Sequence, residues 1–151
     1  MSRLVHASAV IIGETGILVR GASGAGKSRL VLALMAAASQ RGQFSRLVGD
    51  DRVALAEVFG RLIMRPHPAI AGRIERRGHP IAVLPFESAA VVGLVVDLVP
   101  AASRLPEAGE ETLLLFQLRV ARLAIAQDLA SQEAANSVFW ALHEATHGYK
   151  V

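Results

Sequence analysis

Residues 21 to 28 read Gly21-Ala22-Ser23-Gly24-Ala25-Gly26-Lys27-Ser28, the full G-x-x-x-x-G-K-[ST] spacing of a phosphate-binding loop. The spacing has a mechanical reason. Glycines let successive N–H groups turn toward one point at the positive end of a following helix, which makes a nest for anions. Lys27 then reaches the β and γ phosphates, and the Ser28 hydroxyl can ligate the magnesium that bridges them. With 13 Gly and only 2 Lys in the chain, random placement would produce the fixed positions on the order of once in a thousand such sequences. The motif therefore predicts phosphate binding, without saying which phosphoryl chemistry follows.

A nucleotide site also needs an acid at the end of a neighbouring strand. Two candidates compete. Gly93-Leu-Val-Val-Asp97 is an apolar run ending in a carboxylate, and Leu47-Val-Gly-Asp50-Asp51 offers two adjacent acids. Asp97 reads equally well as a strand-end residue closing a turn, and the pair reads either as exposed or as lying near a cation, because burying adjacent acids is costly. One class is excluded. Guanine-specific GTPases use an N-K-x-D element, but the only asparagine here is Asn136 and the only lysine outside the loop is Lys150. The length leaves little room for the lid of an AAA-type ATPase, so a compact kinase or ATPase remains.

The elements that must position these residues are legible in outline. Leu4 to Ile12 and Ile17 to Arg20 form a hairpin-like pair of strands around the turn at Gly13 to Gly16, and the second strand runs into the glycine loop. From Lys27 to about Gln40 the chain is helix-former sequence, apolar nearly all round, as suits a helix packed on a sheet. Leu47-Val48, Val53 to Val58, Ile81 to Leu84 and Val91 to Leu98 read as strands, with turns at Gly60 and Pro66 to Pro68. Pro100 to Gly109 reads as a loop, and Leu113 to about His147 as two amphipathic helices joined near Ser131. The expected architecture is α/β: a central β-sheet with flanking helices, two of them C-terminal.

The 151 residues suit one domain, with 52% hydrophobic and 19% charged residues, enough for a substantial core. The mean hydropathy of +0.41 raises the membrane question, but the longest apolar runs, Leu30 to Ala38 and Ala89 to Val96, fall well short of the ~20 residues of a bilayer span. No secretory signal is evident at the N-terminus, and zero cysteine fits a reducing compartment; the expectation is a soluble cytoplasmic protein. Residues 1 to 80 hold 12 Lys/Arg against 5 Asp/Glu, and residues 81 to 151 hold 4 against 8. With few aromatics, the scattered arginines of the basic half suit small phosphates or solvent better than nucleic acid.

Three pieces then fall in one order: Val5-His6-Ala7-Ser8, GASGAGKS at 21 to 28, and VGDDRV at 48 to 53, followed by Ile74-Glu75-Arg76-Arg77-Gly78. Together they resemble the catalytic domain of the bacterial HPr kinase/phosphorylase family, in the short form without an N-terminal domain. The resemblance covers roughly residues 4 to 84, with a weaker continuation from Val95 to Pro106. It implies a P-loop kinase fold related to phosphoenolpyruvate carboxykinase, ATP and Mg2+ as cofactors, and phosphate transfer to a serine of the phosphocarrier protein HPr in phosphotransferase-system regulation. It also implies a homo-oligomer, a hexamer in relatives. Phe139, Trp140 and Leu142 on the last helix are candidate contacts, and equally candidate intramolecular core.

Carried over by residue, the resemblance makes Asp51 the general base for the acceptor serine. Asp50 assists with metal or hydrogen bonding, Lys27 and Ser28 hold phosphate and metal, Glu75 is a further metal ligand, and His6 is a partner of the acidic pair. Without the resemblance, His6 reads as a structural histidine in an apolar strand and Glu75 as part of a solvated charged face. The sequence departs from the family at Arg29, where glutamate is common, at His79-Pro80 after the E-x-R-G element, and in a longer stretch from Ser39 to Ser45. It has no counterpart of the late arginine loop used in dephosphorylation: Arg104, Arg119 and Arg122 stand in other contexts. The expectation is therefore kinase rather than phosphorylase activity. The competing readings are a small-molecule kinase and a non-catalytic nucleotide or phosphate sensor.

Overall fold

The computed structural model describes residues 2–76, 78–101 and 112–147. Eleven strands and two α-helices follow in the order β1 (Ser2–Val5), β2 (Ala7–Ile12), β3 (Thr15–Arg20), α1 (Lys27–Gln40), β4 (Ser45–Gly49), β5 (Val53–Val58), β6 (Arg61–Pro66), β7 (Arg73–Ile74), β8 (Ala82–Val83), β9 (Ala90–Val99), β10 (Thr112–Leu115), β11 (Leu118–Ala126) and α2 (Ser131–His147). Nine strands share one sheet with the path β1-β5-β6-β9-β3-β2-β4, and β10 joins through β11, which pairs with β9. The two short strands β7 and β8 pair separately. The α/β expectation holds in this arrangement.

The long strand β9 organises the sheet. Its start, Ala90-Val91, pairs antiparallel with β6, while the rest runs parallel to β3 from Val92 and to β11 from Leu94. Every residue from Leu94 to Leu98 is buried, as expected for a strand covered on both faces. Alternate residues feed two cores. Leu94, Val96 and Leu98 pack with Ile17 and Val19 under α1 and α2, whereas Val95 packs with Leu18, Val48, Val53 and Met64 on the opposite face. Both helices thus cover one face of the sheet, and α1 spans the expected Lys27 to Gln40.

The expected pair of C-terminal helices is corrected to one helix preceded by a hairpin. Residues 112 to 126 form β10 and β11, paired from Thr112↔Ala121 to Leu115↔Leu118. Phe116 and Gln117 make the two-residue turn, both with positive φ (52° and 64°). The run Leu118-Arg-Val-Ala-Arg-Leu-Ala-Ile-Ala126 is rich in helix formers, but pairing with the edge of β9 overrides that preference. The hairpin lacks the Asn-Gly signature such turns favour, so nothing local announced it. In α2, Ala134, Ala135, Val138 and Phe139 are buried, whereas Trp140 is largely exposed. The Phe139 ring lies under the Arg41 guanidinium, 3.8 Å from ring centroid to Cζ, which places it in the intramolecular core.

No helix among the described residues is long and apolar enough to cross a membrane. The loop expected at Pro100 to Gly109 lies largely outside the described residues, with Arg104 in it; so does Arg77 of the E-x-R-G element.

Candidate active site

The glycine loop connects β3 to α1 across the carboxyl ends of the parallel strands, where open α/β sheets place their ligands. Gly24 (φ 83°) and Gly26 (φ 101°) adopt left-handed conformations that side chains oppose, and Gly26 caps α1. Lys27 is a buried residue, and its ammonium donates to the carbonyls of Gly21 and Ala22, 2.9 Å each. It is thus held folded over the loop it serves.

The two acidic candidates are separated by geometry. Ser28 Oγ donates to Asp50 Oδ1 at 2.6 Å, and Ser8 Oγ donates to the same oxygen at 2.6 Å. The Glu75 backbone N–H donates to Asp50 Oδ2 at 3.2 Å, and Asp50 is buried. Asp97, by contrast, is bound by two guanidiniums: Arg20 Nε and Nη2 at 2.7 and 2.9 Å, and Arg122 Nε at 2.5 Å. Burial pushes the Asp97 carboxyl up, but the hydrogen bonds and positive charges of Arg20 and Arg122 outweigh it and hold the group below the ordinary carboxylate range. The same hydrogen bond raises the Arg20 guanidinium further, against its own desolvation. Asp97 is therefore committed to an ion cluster beside the loop, whereas Asp50 sits against its serine.

Asp51 turns the other way. The Arg52 N–H donates to the Asp50 carbonyl at 2.8 Å, closing a γ-turn on Asp51, whose φ is 69°. This uncommon conformation for a side-chain-bearing residue costs of order 1–3 kcal/mol, and such strain concentrates at functional sites. It separates the adjacent carboxylates, one buried and one in the open. His6 lies at the break between β1 and β2, where the chain exchanges β5 for β3 and β4 as partner. Its Nε2 donates to Asp51 Oδ1 at 2.8 Å, and the following Ala7 N–H donates to the Asp51 carbonyl at 3.2 Å. The His6–Asp51 pair is solvent-exposed, so its worth lies in orientation more than stability.

His6, Ser23, Gly24, Gly26, Lys27, Ser28, Asp51 and Glu75 line one open cleft of about 580 Å³, with Arg29, Leu32, Arg76 and His79. The structure thus brings the expected residues to one place, with Asp50 directly behind Ser28. Gly21, Ala22 and Ala25 form the back of the loop. Sequence reasoning did not single out Ser8 or the Glu75 amide as partners of Asp50, and nothing in the local pattern marks either. Of the late arginines, Arg122 is taken by Asp97 and Arg119 bonds Thr112 Oγ1 on its own hairpin at 3.1 Å.

Among the described residues no three His, Cys, Asp or Glu side chains form a metal cage. The donor set nevertheless fits magnesium as nucleotide sites hold it, through a hydroxyl and one or two carboxylates plus phosphate and water. Among the described residues the donors to the buried Asp50 are neutral, and the Ser28 hydroxyl, its proton directed at Asp50, keeps lone pairs for a cation at the cleft. Ser28, Asp50 and the Glu75 carboxylate are the groups that would hold it.

No family model matches the chain. Over 74 residues it is 39% identical to an HPr kinase/phosphorylase of Mycoplasma mycoides, covering 48% of this chain and 21% of that protein. Proteins of the same name from Clostridium beijerinckii (39% over 74 residues, 49% of this chain and 22% of that protein) and Clostridium tetani (38% over 81 residues, 54% and 25%) are similar. The chain spans about a fifth to a quarter of the length of these relatives. In fold it is similar to the HPr(Ser) kinase/phosphatase of Coxiella burnetii, with a TM-score of 0.77 at 22% identity over 97% of this chain and 99% of that one. The chain is thus homologous in sequence to the HPr kinase/phosphorylases over about half its length, and it carries the fold of an HPr(Ser) kinase/phosphatase.

Proposed function

We propose that the chain is an ATP-dependent protein serine kinase acting on an HPr-like phosphocarrier protein. The observation that supports it best is the pair of acids at one phosphate loop: Asp50 buried on Ser28, Asp51 turned into the open cleft against His6. In this reading the loop amides and Lys27 hold the β and γ phosphates of ATP, Lys27 exchanging the Gly21 and Ala22 carbonyls for phosphate oxygens. Magnesium, when bound, neutralises charge between those phosphates. Asp51 accepts the hydrogen bond of the acceptor serine, aligns it for in-line attack and takes its proton as the new P–O bond forms and the bond to the β,γ-bridging oxygen breaks. His6 Nε2 fixes the carboxylate rotamer. An open cleft is what a protein acceptor requires, since its serine arrives on a surface and not as a small molecule to be enclosed.

The test is transfer of labelled γ-phosphate from magnesium-ATP to purified HPr, with HPr whose acceptor serine is alanine as control. Native protein is expected to label HPr in a serine-dependent way. Asp51→Asn is expected to lose about 10²–10⁴-fold in transfer while still binding ATP. Measurable ATP binding with no label on HPr would reject the assignment.

A further inference from the structure

Ser8 is a buried polar residue in a strand where apolar side chains would pack better. It is the second residue of β2, paired across to Val19, with Val10 and Ile12 continuing its face into the core under α1. A buried hydroxyl is costly unless bonded. Its bond is the 2.6 Å donation to Asp50 Oδ1, and it reaches that oxygen from the sheet while Ser28 reaches it from the first turn of α1. Lys27 is occupied by two carbonyls, and none of the ion pairs among the described residues includes Asp50. Among the described residues three neutral donors orient this carboxylate: two hydroxyls on Oδ1 and the Glu75 amide on Oδ2.

We infer that Ser8 is a positioning residue for the metal half of the site, acting through Asp50. Its proton pins Oδ1 at the point where Ser28 must direct its own. With Oδ1 fixed from the sheet side, the Ser28 hydroxyl has one favourable rotamer, which leaves its lone pairs toward the cleft. Removing Ser8 leaves Oδ1 held by Ser28 alone, so that the two can shift together about the Glu75 N–H that still anchors Oδ2. Ser8 touches neither phosphate nor cation, so its loss acts on magnesium-dependent affinity and not on the bare nest of amides. The inference rests on reading the cleft as a magnesium-nucleotide site.

The experiment titrates a fluorescent ATP analogue into native protein, Ser8→Ala and Ser8→Thr, each with magnesium and with EDTA, alongside thermal melts that verify folding. The readout is the ratio of Kd without magnesium to Kd with it. Partners that orient metal ligands typically contribute 10–100-fold to metal affinity, so Ser8→Ala is expected to lower the ratio about tenfold with metal-free affinity unchanged. Ser8→Thr, which keeps the hydroxyl, is expected to hold the native ratio. A native ratio in Ser8→Ala overturns the inference. So does an equal loss with and without magnesium, which makes Ser8 merely structural, or a Ser8→Thr ratio matching that of Ser8→Ala. Native protein that binds the nucleotide with no magnesium dependence fails the reading of the site itself, a result distinct from the others.

Discussion

Replacing Asp97 separates the two acids that an apolar-run-then-Asp pattern leaves indistinguishable. Asp97→Asn keeps the shape but removes the charge that three guanidinium N–H groups share, at 2.7, 2.9 and 2.5 Å. Removing one partner of a fully buried pair costs ~3–5 kcal/mol. Here the Arg20 side chain is 34% exposed and Arg122 22%, so water recovers part of the loss. About 2–3 kcal/mol remains, which in a chain of this size lowers Tm by about 5–10 °C.

The effect carries a pH signature. Because the folded Asp97 carboxyl lies below its unfolded value of about 3.9, the unfolded chain binds more protons in between. The stabilisation is present above about pH 4 and is lost as pH falls through the folded value. The gap between native and variant melting curves is expected to be full at pH 7 and to close below pH 4. Magnesium-dependent nucleotide binding is expected to survive in Asp97→Asn and to be lost in Asp50→Asn. An Asp97→Asn protein as stable as native, or one that keeps its fold but loses magnesium dependence, would refute the assignment of the two acids.

Lys27→Ala is expected to weaken ATP binding about 10–100-fold in direct titration, since a charged hydrogen bond contributes ~1.5–3 kcal/mol and this ammonium is the cation seated within the loop. Phe59→Asn is expected to stabilise the protein by ~0.5–1 kcal/mol in urea unfolding. Phe59 is 94% exposed at the tip of the β5–β6 hairpin with φ 51°, and it precedes Gly60 with φ 78°, so the change creates the Asn-Gly pair that this turn prefers without losing packing.

Some of the site was legible because its residues are local to one another. The eight residues from Gly21 to Ser28 carry their function in their spacing, and the strand before and helix after them follow from short-range pattern. The proximity of His6, Asp51 and Glu75 was accessible only through the resemblance, since 45 residues separate His6 from Asp51 and no periodicity connects them. The bonds of Ser8 and of the Glu75 amide to Asp50 were not legible: Ser8 stands in the first piece of the resemblance with no role attached, and neither a serine in an apolar strand nor a backbone N–H names its partner until the fold sets Asp50 between them. The hairpin at residues 112–126 was misread for a related reason. Leu, Arg and Ala in short range favour a helix, and the competing term, pairing with β9, lies outside the segment.

The chain order of residue types by itself determined the phosphate loop, the helix behind it and the strand character of residues 91–98, because each depends on residues close to one another in the chain. Tertiary structure alone decided which acid serves the loop. Asp97 stands at the end of a strand adjacent to β3, yet two arginines from neighbouring strands neutralise it. Asp50 is left to the serines, and the strained backbone at Asp51 carries the second carboxylate into the open cleft. Charge pairing across strands and a positive φ in one turn are properties of the assembled sheet, and no local pattern contains them.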